Sequence, residues 1–204
     1  MIELYMAGTA NGQRASIMLE ECGVPYRVHK VDLAKGEQKQ EAFLAMNAAG
    51  AIPVMVDPEG PGGKSITLSQ STAILLYLCE KSGRHLPADP AQRYAAMVWL
   101  MRAATDVAPT SGAIFQLMNY VPEKSAQNTE FFENRLINFL RVADQQLATR
   151  DYLLGEICAA DLSLYPVVMA RRALAERGGL NTLLAWTQRV GARPAVQRGM
   201  AQPG

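Results

Sequence analysis

Two short stretches carry the residues best suited to hold a ligand. Ala51-Ile52-Pro53-Val54-Met55-Val56 is an apolar strand opened by a proline, and Leu68-Ser69-Gln70-Ser71-Thr72-Ala73-Ile74 puts a polar pair at the head of a strongly apolar helix. Proline is tolerated as a strand's first residue because that position can dispense with its N–H. A helix N-terminus offers unpaired N–H donors and the positive end of the helix dipole. Exposed backbone beside Pro53, with donors at Gln70 and Ser71, therefore suits a small peptide that carries a carboxylate. A third group, Thr9 and Asn11, lies in the turn cluster Gly8-Thr9-Ala10-Asn11-Gly12. A hydroxyl and an amide can both donate hydrogen bonds, and α/β folds place ligands at such βα turns. Plainer roles stand beside these: Asn next to Gly suits a turn, and Ser69, Gln70 and Ser71 suit a helix cap.

The elements that position these residues follow from periodicity. Ile2-Glu3-Leu4-Tyr5 alternates as a strand, and Ala15 to Cys22 forms a helical apolar face that stops at Gly23. Tyr26 to Val31 alternates again, Lys35 to Glu41 is polar and loop-like, and Phe43 to Met46 makes a short helical turn. Strands at Pro53–Val56 and Ser65–Leu68 flank a turn, and a buried helix runs from Gln70 to Glu80. The order is β-α-β-α-β-β-α. Ser82 to Pro90, with two prolines and a glycine, reads as a connector. All that follows reads as helix: Ala91 to about Met118 with a kink expected at Pro109, Thr129–Ala148, Asp161–Leu174, Leu180–Val190 and a terminal turn after Pro194. The expected domains are 1–82, a linker at 83–90, and an all-helical domain at 91–204.

Composition excludes several function classes. The chain has 204 residues, 49% hydrophobic and 19% charged, enough for a full core. A net charge of +1 with no basic block gives no reason to expect nucleic acid or an anionic membrane as partner. No apolar run reaches the ~18 residues of a membrane span, and the Met-Ile-Glu-Leu-Tyr start has no basic segment ahead of an apolar one. Cys22, Cys79 and Cys158 lie far apart, and with His29 and His85 they make no metal-ligand spacing, so no metal is expected. A sparse, odd cysteine count fits a reducing, cytoplasmic setting.

A four-strand α/β unit followed by a helical unit, with these motifs in register, resembles the cytosolic glutathione transferases. The resemblance rests on Ile52-Pro53, on Gln70-Ser71-Thr72-Ala73-Ile74-Leu75-Leu76-Tyr77-Leu78, and on Gly155-Glu156-Ile157-Cys158-Ala159-Ala160-Asp161-Leu162. Thr9 to Arg14, Ile17 to Glu21, and Lys35-Gly36-Glu37-Gln38 look like the bacterial Nu-type branch. The resemblance implies a thioredoxin-like N-terminal domain, an all-α C-terminal domain, a cis Pro53, and glutathione as co-substrate. It gives Ile52 the cysteinyl backbone of glutathione, Ser71 and Gln70 the γ-glutamyl end, Gln38 the glycyl end, and Thr9 and Asn11 the thiolate. Donors aimed at sulfur favour the reactive thiolate. A homodimer and an electrophile pocket lined by Met6, Ala7 and Ser111 to Tyr120 are also implied.

Three departures qualify this. Ala10 stands where one bacterial branch has a cysteine, so a mixed disulfide at that position is excluded. Ala51 stands where the family carries a long polar residue that reaches the glycyl carboxylate, leaving Gln38 or Lys35 for that task. Cys158 replaces the usual Ser or Thr helix cap, a loss on the order of 1 kcal/mol. The expected activity is attack of the glutathione thiolate on a small electrophile, with disulfide reduction or peroxide reduction as alternatives. A non-enzymatic regulator built on the same fold, which Ala51 favours, is the competing reading.

Overall fold

A computed structural model describes residues 1–204. The chain divides into two compact units, Met1–His85 with Ala192–Gly204, and Leu86–Gly191.

The first unit is built on a four-stranded sheet of order β2-β1-β3-β4. Strand β1 (Ile2–Met6) buries Ile2, Leu4 and Met6 and leaves Glu3 and Tyr5 half-buried, the alternation a strand requires. It pairs in parallel with β2 (Tyr26–Lys30) and antiparallel with β3 (Val54–Asp57), which pairs antiparallel with β4 (Ile66–Ser69). Helix α1 (Ala10–Cys22) is the crossover that a parallel β1/β2 pair needs. It starts earlier than the turn cluster implies, because the Thr9 hydroxyl caps it and Ala10 to Gly12 are already helical. The polar 35–41 segment holds a short 3₁₀ turn, Glu37–Lys39, followed by α2 (Glu41–Met46). Helix α3 (Ser71–Ser82) buries Ile74, Leu75, Leu78 and Cys79.

The second unit is helical. Helices α4 (Pro90–Met101) and α5 (Ala108–Asn119) run on from one another through a turn of π-helix, Arg102–Val107. That turn lies just ahead of Pro109, which has no N–H for the carbonyl four residues back and whose ring crowds it. Helix α6 (Ala126–Leu147) is capped by Ser125, whose hydroxyl accepts from Asn128 N at 3.1 Å. The helix expected over Asp161–Leu174 is two, α7 (Ala159–Ala170) and α8 (Arg172–Arg177), broken at Arg171, whose φ is −124°. Arg171 turns its guanidinium to Ser111 on α5, donating to the hydroxyl at 3.0 Å and the carbonyl at 2.9 Å. Helix α9 (Asn181–Gly191) closes the unit on the buried Trp186.

The last helix, α10 (Pro194–Met200), packs on α1, so the 91–204 helical domain ends earlier as a packing unit. Gly199 makes this possible, since a Cβ there would fall 2.5 Å from Ile17 Cα. Ser16 donates to the Gly199 carbonyl at 2.7 Å, and Arg193 grips the Glu21 carboxylate with bonds of 2.6 and 2.8 Å. The sequence reads this segment as a terminal turn after Pro194; it is a two-turn helix, and nothing in its spacing says which unit it covers.

Candidate active site

Strand register gathers the candidate residues at one end of the sheet. Val54 lies opposite both Tyr5 and Ser69. The chain entering β3 through Ile52-Pro53 therefore runs beside the chain leaving β4 into Gln70-Ser71, and beside the end of β1 that leads to Thr9. Sheet pairing starts at Val54, which leaves Ile52 outside the ladder, half-buried against Val31, Phe43 and Val54. The Ile52–Pro53 bond is cis, as the resemblance implies.

Thr9 caps α1 by accepting from Gly12 N at 3.2 Å. The cap uses the hydroxyl oxygen and leaves its hydrogen to donate elsewhere. Turn chemistry and ligand chemistry are thus compatible at this residue. Asn11 is solvent-exposed, and its Oδ1 accepts from Arg14 Nη1 at 2.9 Å. The same nitrogen lies 3.4 Å from the Ser71 hydroxyl at the first position of α3. Arg14 is only 2% exposed, and burial brings its guanidinium down to about 10, still cationic at neutral pH. Asn11 and Ser71, far apart in sequence, therefore meet around one buried cation.

Gln70 is the N-cap residue of α3 but makes no side-chain cap bond. Its backbone sits at φ 71° and ψ 111°, a region side-chain-bearing residues rarely adopt, at a cost of roughly 1–3 kcal/mol. Such strain concentrates at functional sites. Gln70 therefore makes no side-chain cap, and the N–H donors at the start of α3 have no acceptor from its side chain.

A second cluster surrounds the loop before Pro53. Gln38, in the 3₁₀ turn, holds its Oε1 away from solvent with no hydrogen-bond partner. Next to it, Lys39 lies along the loop with Nζ donating to the Ala49 carbonyl at 3.2 Å. Gly50 allows this approach: its φ is +57°, and a Cβ would meet Lys39 Nζ at 2.7 Å and the Gln38 carbonyl at 2.9 Å. Asn47 braces the loop by donating to the Ala51 carbonyl at 2.7 Å and accepting from Ala49 N. Lys35 is instead paired on the surface with Asp32 at 3.2 Å. Lys39 is the cation beside the Ala51 gap, and sequence reasoning missed it because nothing in linear spacing shows the 37–39 turn folding onto residues 47–51.

Met6, expected to line an electrophile pocket, is fully buried in the core of the first unit and is unavailable. Phe115, Met118 and Tyr120 are exposed on the second. All three cysteines are buried. Burial pushes the thiols of Cys22 and Cys158 up, with the Asp161 charge adding to the effect at Cys158. Neither has the character of a nucleophile. Cys158 donates its S–H to Asp161 at 3.2 Å, and its sulfur also faces the Asp161 backbone N–H while the Asp161 carboxylate accepts from Cys158 N, so the two residues make a capping box.

Two family models match, the glutathione S-transferase N-terminal domain over residues 10–81 and the glutathione S-transferase C-terminal domain over residues 110–201. Disulfide-bond oxidoreductase YfcG of Escherichia coli (strain K12) is 32% identical over 199 residues, covering 96% of this chain and 93% of the relative. The chain belongs to the glutathione transferase family. Among solved structures, a Pseudomonas putida glutathione transferase with one glutathione disulfide bound per subunit superposes with a TM-score of 0.91 at 34% identity, covering 100% of this chain and 92% of the other. A glutathione transferase family member from Pseudomonas fluorescens with two glutathione bound also gives 0.91, at 32% identity, covering 98% and 92%. The thioredoxin-like sheet and the helical C-terminal unit are those of the glutathione transferase fold.

Proposed function

We propose that this chain is a glutathione-dependent enzyme. Reduced glutathione lies with its cysteinyl backbone along Ile52, as an added strand would. Its γ-glutamyl carboxylate meets the N-terminus of α3 at Gln70 and Ser71. The glycyl end reaches the Gln38–Lys39 turn, where the unpaired Gln38 oxygen can accept a peptide N–H and Lys39 supplies the charge that Ala51 lacks. Thr9 and Asn11 then donate to the sulfur. The observation that carries this reading is the meeting of Asn11 and Ser71 around Arg14, which joins the thiolate and carboxylate subsites.

The thiolate attacks a small electrophile. A second version is favoured by the E. coli relative named a disulfide-bond oxidoreductase and by the P. putida structure with glutathione disulfide. There the thiolate attacks one sulfur of a disulfide, a new S–S bond forms, and the other sulfur leaves as a thiolate. A second glutathione thiolate resolves the mixed disulfide to glutathione disulfide. With every protein cysteine buried, both sulfurs come from small molecules.

Turnover with an aryl halide and with a small disulfide, alongside calorimetric binding of glutathione, tests the reading. Asn11→Ala and Thr9→Ala are expected to raise the thiol pKa of the bound peptide and lower kcat more than they weaken binding. Absence of glutathione binding by the unmodified protein leaves only the non-enzymatic alternative.

The homodimer belongs to the same proposal. Tyr94, Val98 and Met101 are 75%, 54% and 40% exposed at helical spacing on α4, an apolar stripe that a second copy can cover. A monomeric mass by light scattering at micromolar concentration counts against it. No helix is long and apolar enough to cross a membrane, and we place the protein in the cytoplasm on its sparse, odd cysteine count.

A further inference from the structure

Asparagine and serine side chains have a choice of polarity. An amide can present its oxygen or its NH₂ to a ligand, and a hydroxyl can donate or accept. A thiolate and a carboxylate are both acceptors, so a site for them works only when the donor ends face outward. Arginine carries donors alone. A guanidinium beneath these side chains can take up only their acceptor atoms.

Arg14 is placed to do this. It is 2% exposed, its Nη1 donates to Asn11 Oδ1 at 2.9 Å, and the same Nη1 reaches Ser71 Oγ at 3.4 Å. Each contact leaves a defined remainder. Asn11 is left with its NH₂ group, which makes no bond within the protein, and Ser71 with its hydroxyl hydrogen. Thr9 is set in the same sense by a backbone donor, Gly12 N. We infer that Arg14 is a positioning residue that fixes the hydrogen-bond polarity of both subsites, turning the Asn11 amide toward a thiolate and the Ser71 hydroxyl toward a carboxylate. The inference rests on the glutathione reading above. Arg14 touches neither ligand group itself. Its charge also lies behind both, where it favours the anionic form of each.

The two arms separate experimentally. The Asn11 arm is read by the thiol pKa of bound glutathione, followed by thiolate absorbance. The Ser71 arm is read by binding of S-methylglutathione, which has the carboxylates but no ionisable thiol. Arg14→Met is expected to raise the bound thiol pKa by about one unit and to weaken S-methylglutathione several-fold, with kcat falling more than KM rises. Arg14→Lys, which keeps a charged nitrogen with several protons, is expected to restore most of both. A folded Arg14→Met protein that keeps either quantity at its wild-type value overturns the proposal.

A merely structural role would lower thermal stability without this pattern and without rescue by lysine. Should Arg14→Met not fold, the wild-type protein still decides. The Asn11 side-chain amide resonance, assigned by its loss in Asn11→Ala, is expected to move as bound glutathione ionises and to stay still with S-methylglutathione. An amide insensitive to thiol ionisation overturns the proposal. Wild-type protein that leaves the thiol at its free-solution pKa overturns the underlying glutathione reading, an outcome visible before any variant is made.

Discussion

At the scale of single residues, the loop before Pro53 places a lysine beside a position that lacks a long side chain. Ala51 cannot reach a carboxylate, yet Lys39 lies along the same loop because Gly50 leaves room for it. Lys39 is exposed, so an ion pair there contributes no more than about 1 kcal/mol, and we take about 0.4–1. Lys39→Ala is therefore expected to weaken glutathione about two- to five-fold, and the loss should shrink at high salt. With Lys39 present, Ala51→Lys should gain little; in the Lys39→Ala background it should recover the lost affinity. Calorimetric titration of the four proteins at two salt concentrations gives the comparison. A Lys39→Ala protein that binds like the wild type removes Lys39 from the site.

At the scale of elements, two buried carboxylates fasten helices to their surroundings. Asp57, at the end of β3, accepts from Tyr77 on α3 at 2.6 Å and from Glu59 N at 2.9 Å, and pairs with Lys81 at 2.9 Å. Burial alone would raise its pKa, but these hydrogen bonds and the Lys81 charge hold it below the ordinary aspartate value. The native state therefore releases this proton more readily than the unfolded chain. Its stabilisation is complete above the unfolded value of about 3.9 and fades as pH falls through the lower folded value. Asp57→Asn should flatten the acid limb of stability against pH, measured by urea unfolding; an unchanged limb counts against the assignment. Asp161, fully buried at the start of α7, accepts from Leu153 N, Cys158 N, the Cys158 thiol and Trp186 Nε1. Asp161→Ala strands these donors, and the expected loss is about 3–5 kcal/mol, read as a large drop in Tm. Cys158→Ser, which preserves the geometry, should change Tm little.

At the scale of the whole molecule, the C-terminal segment completes the first unit. Glu21 on α1 is the junction: Arg193, at the head of α10, holds its carboxylate bidentately, and the His85 ring lies 3.6 Å from the same group. Burial pushes the His85 imidazole below its usual range, against the pull of Glu21. One carboxylate thus ties the segment leaving the first unit to the segment returning to it. Arg193 is about one-third exposed, so removing its partner is expected to cost about 1–3 kcal/mol. Glu21→Ala should speed hydrogen exchange in α10 far more than in the sheet. Equal protection of α10 in both proteins shows that Gly199 packing alone holds the helix.

Much of this was legible in the chain itself. Strands, helices and their order follow from periodicity and punctuation, because alternation and 3.6-residue spacing are local properties that burial of one face enforces. Pro53, Gln70, Ser71, Thr9 and Asn11 stand out for the same reason: residue type at an element's end states what the local backbone can offer. What linear spacing does not contain is which side chains meet. Arg14 reads as one more polar residue on a helix, and only the packing of α1 against α3 puts its guanidinium between Asn11 and Ser71. Lys39 becomes relevant only when the 37–39 turn closes on Gly50. The segment after Pro194 reads in sequence as no more than a terminal turn, and a glycine that lets it lie flat on Ile17 decides where it docks. Local rules fix what each segment is, and long-range contact fixes what it acts on, because a contact's free energy depends on partners that chain order does not name.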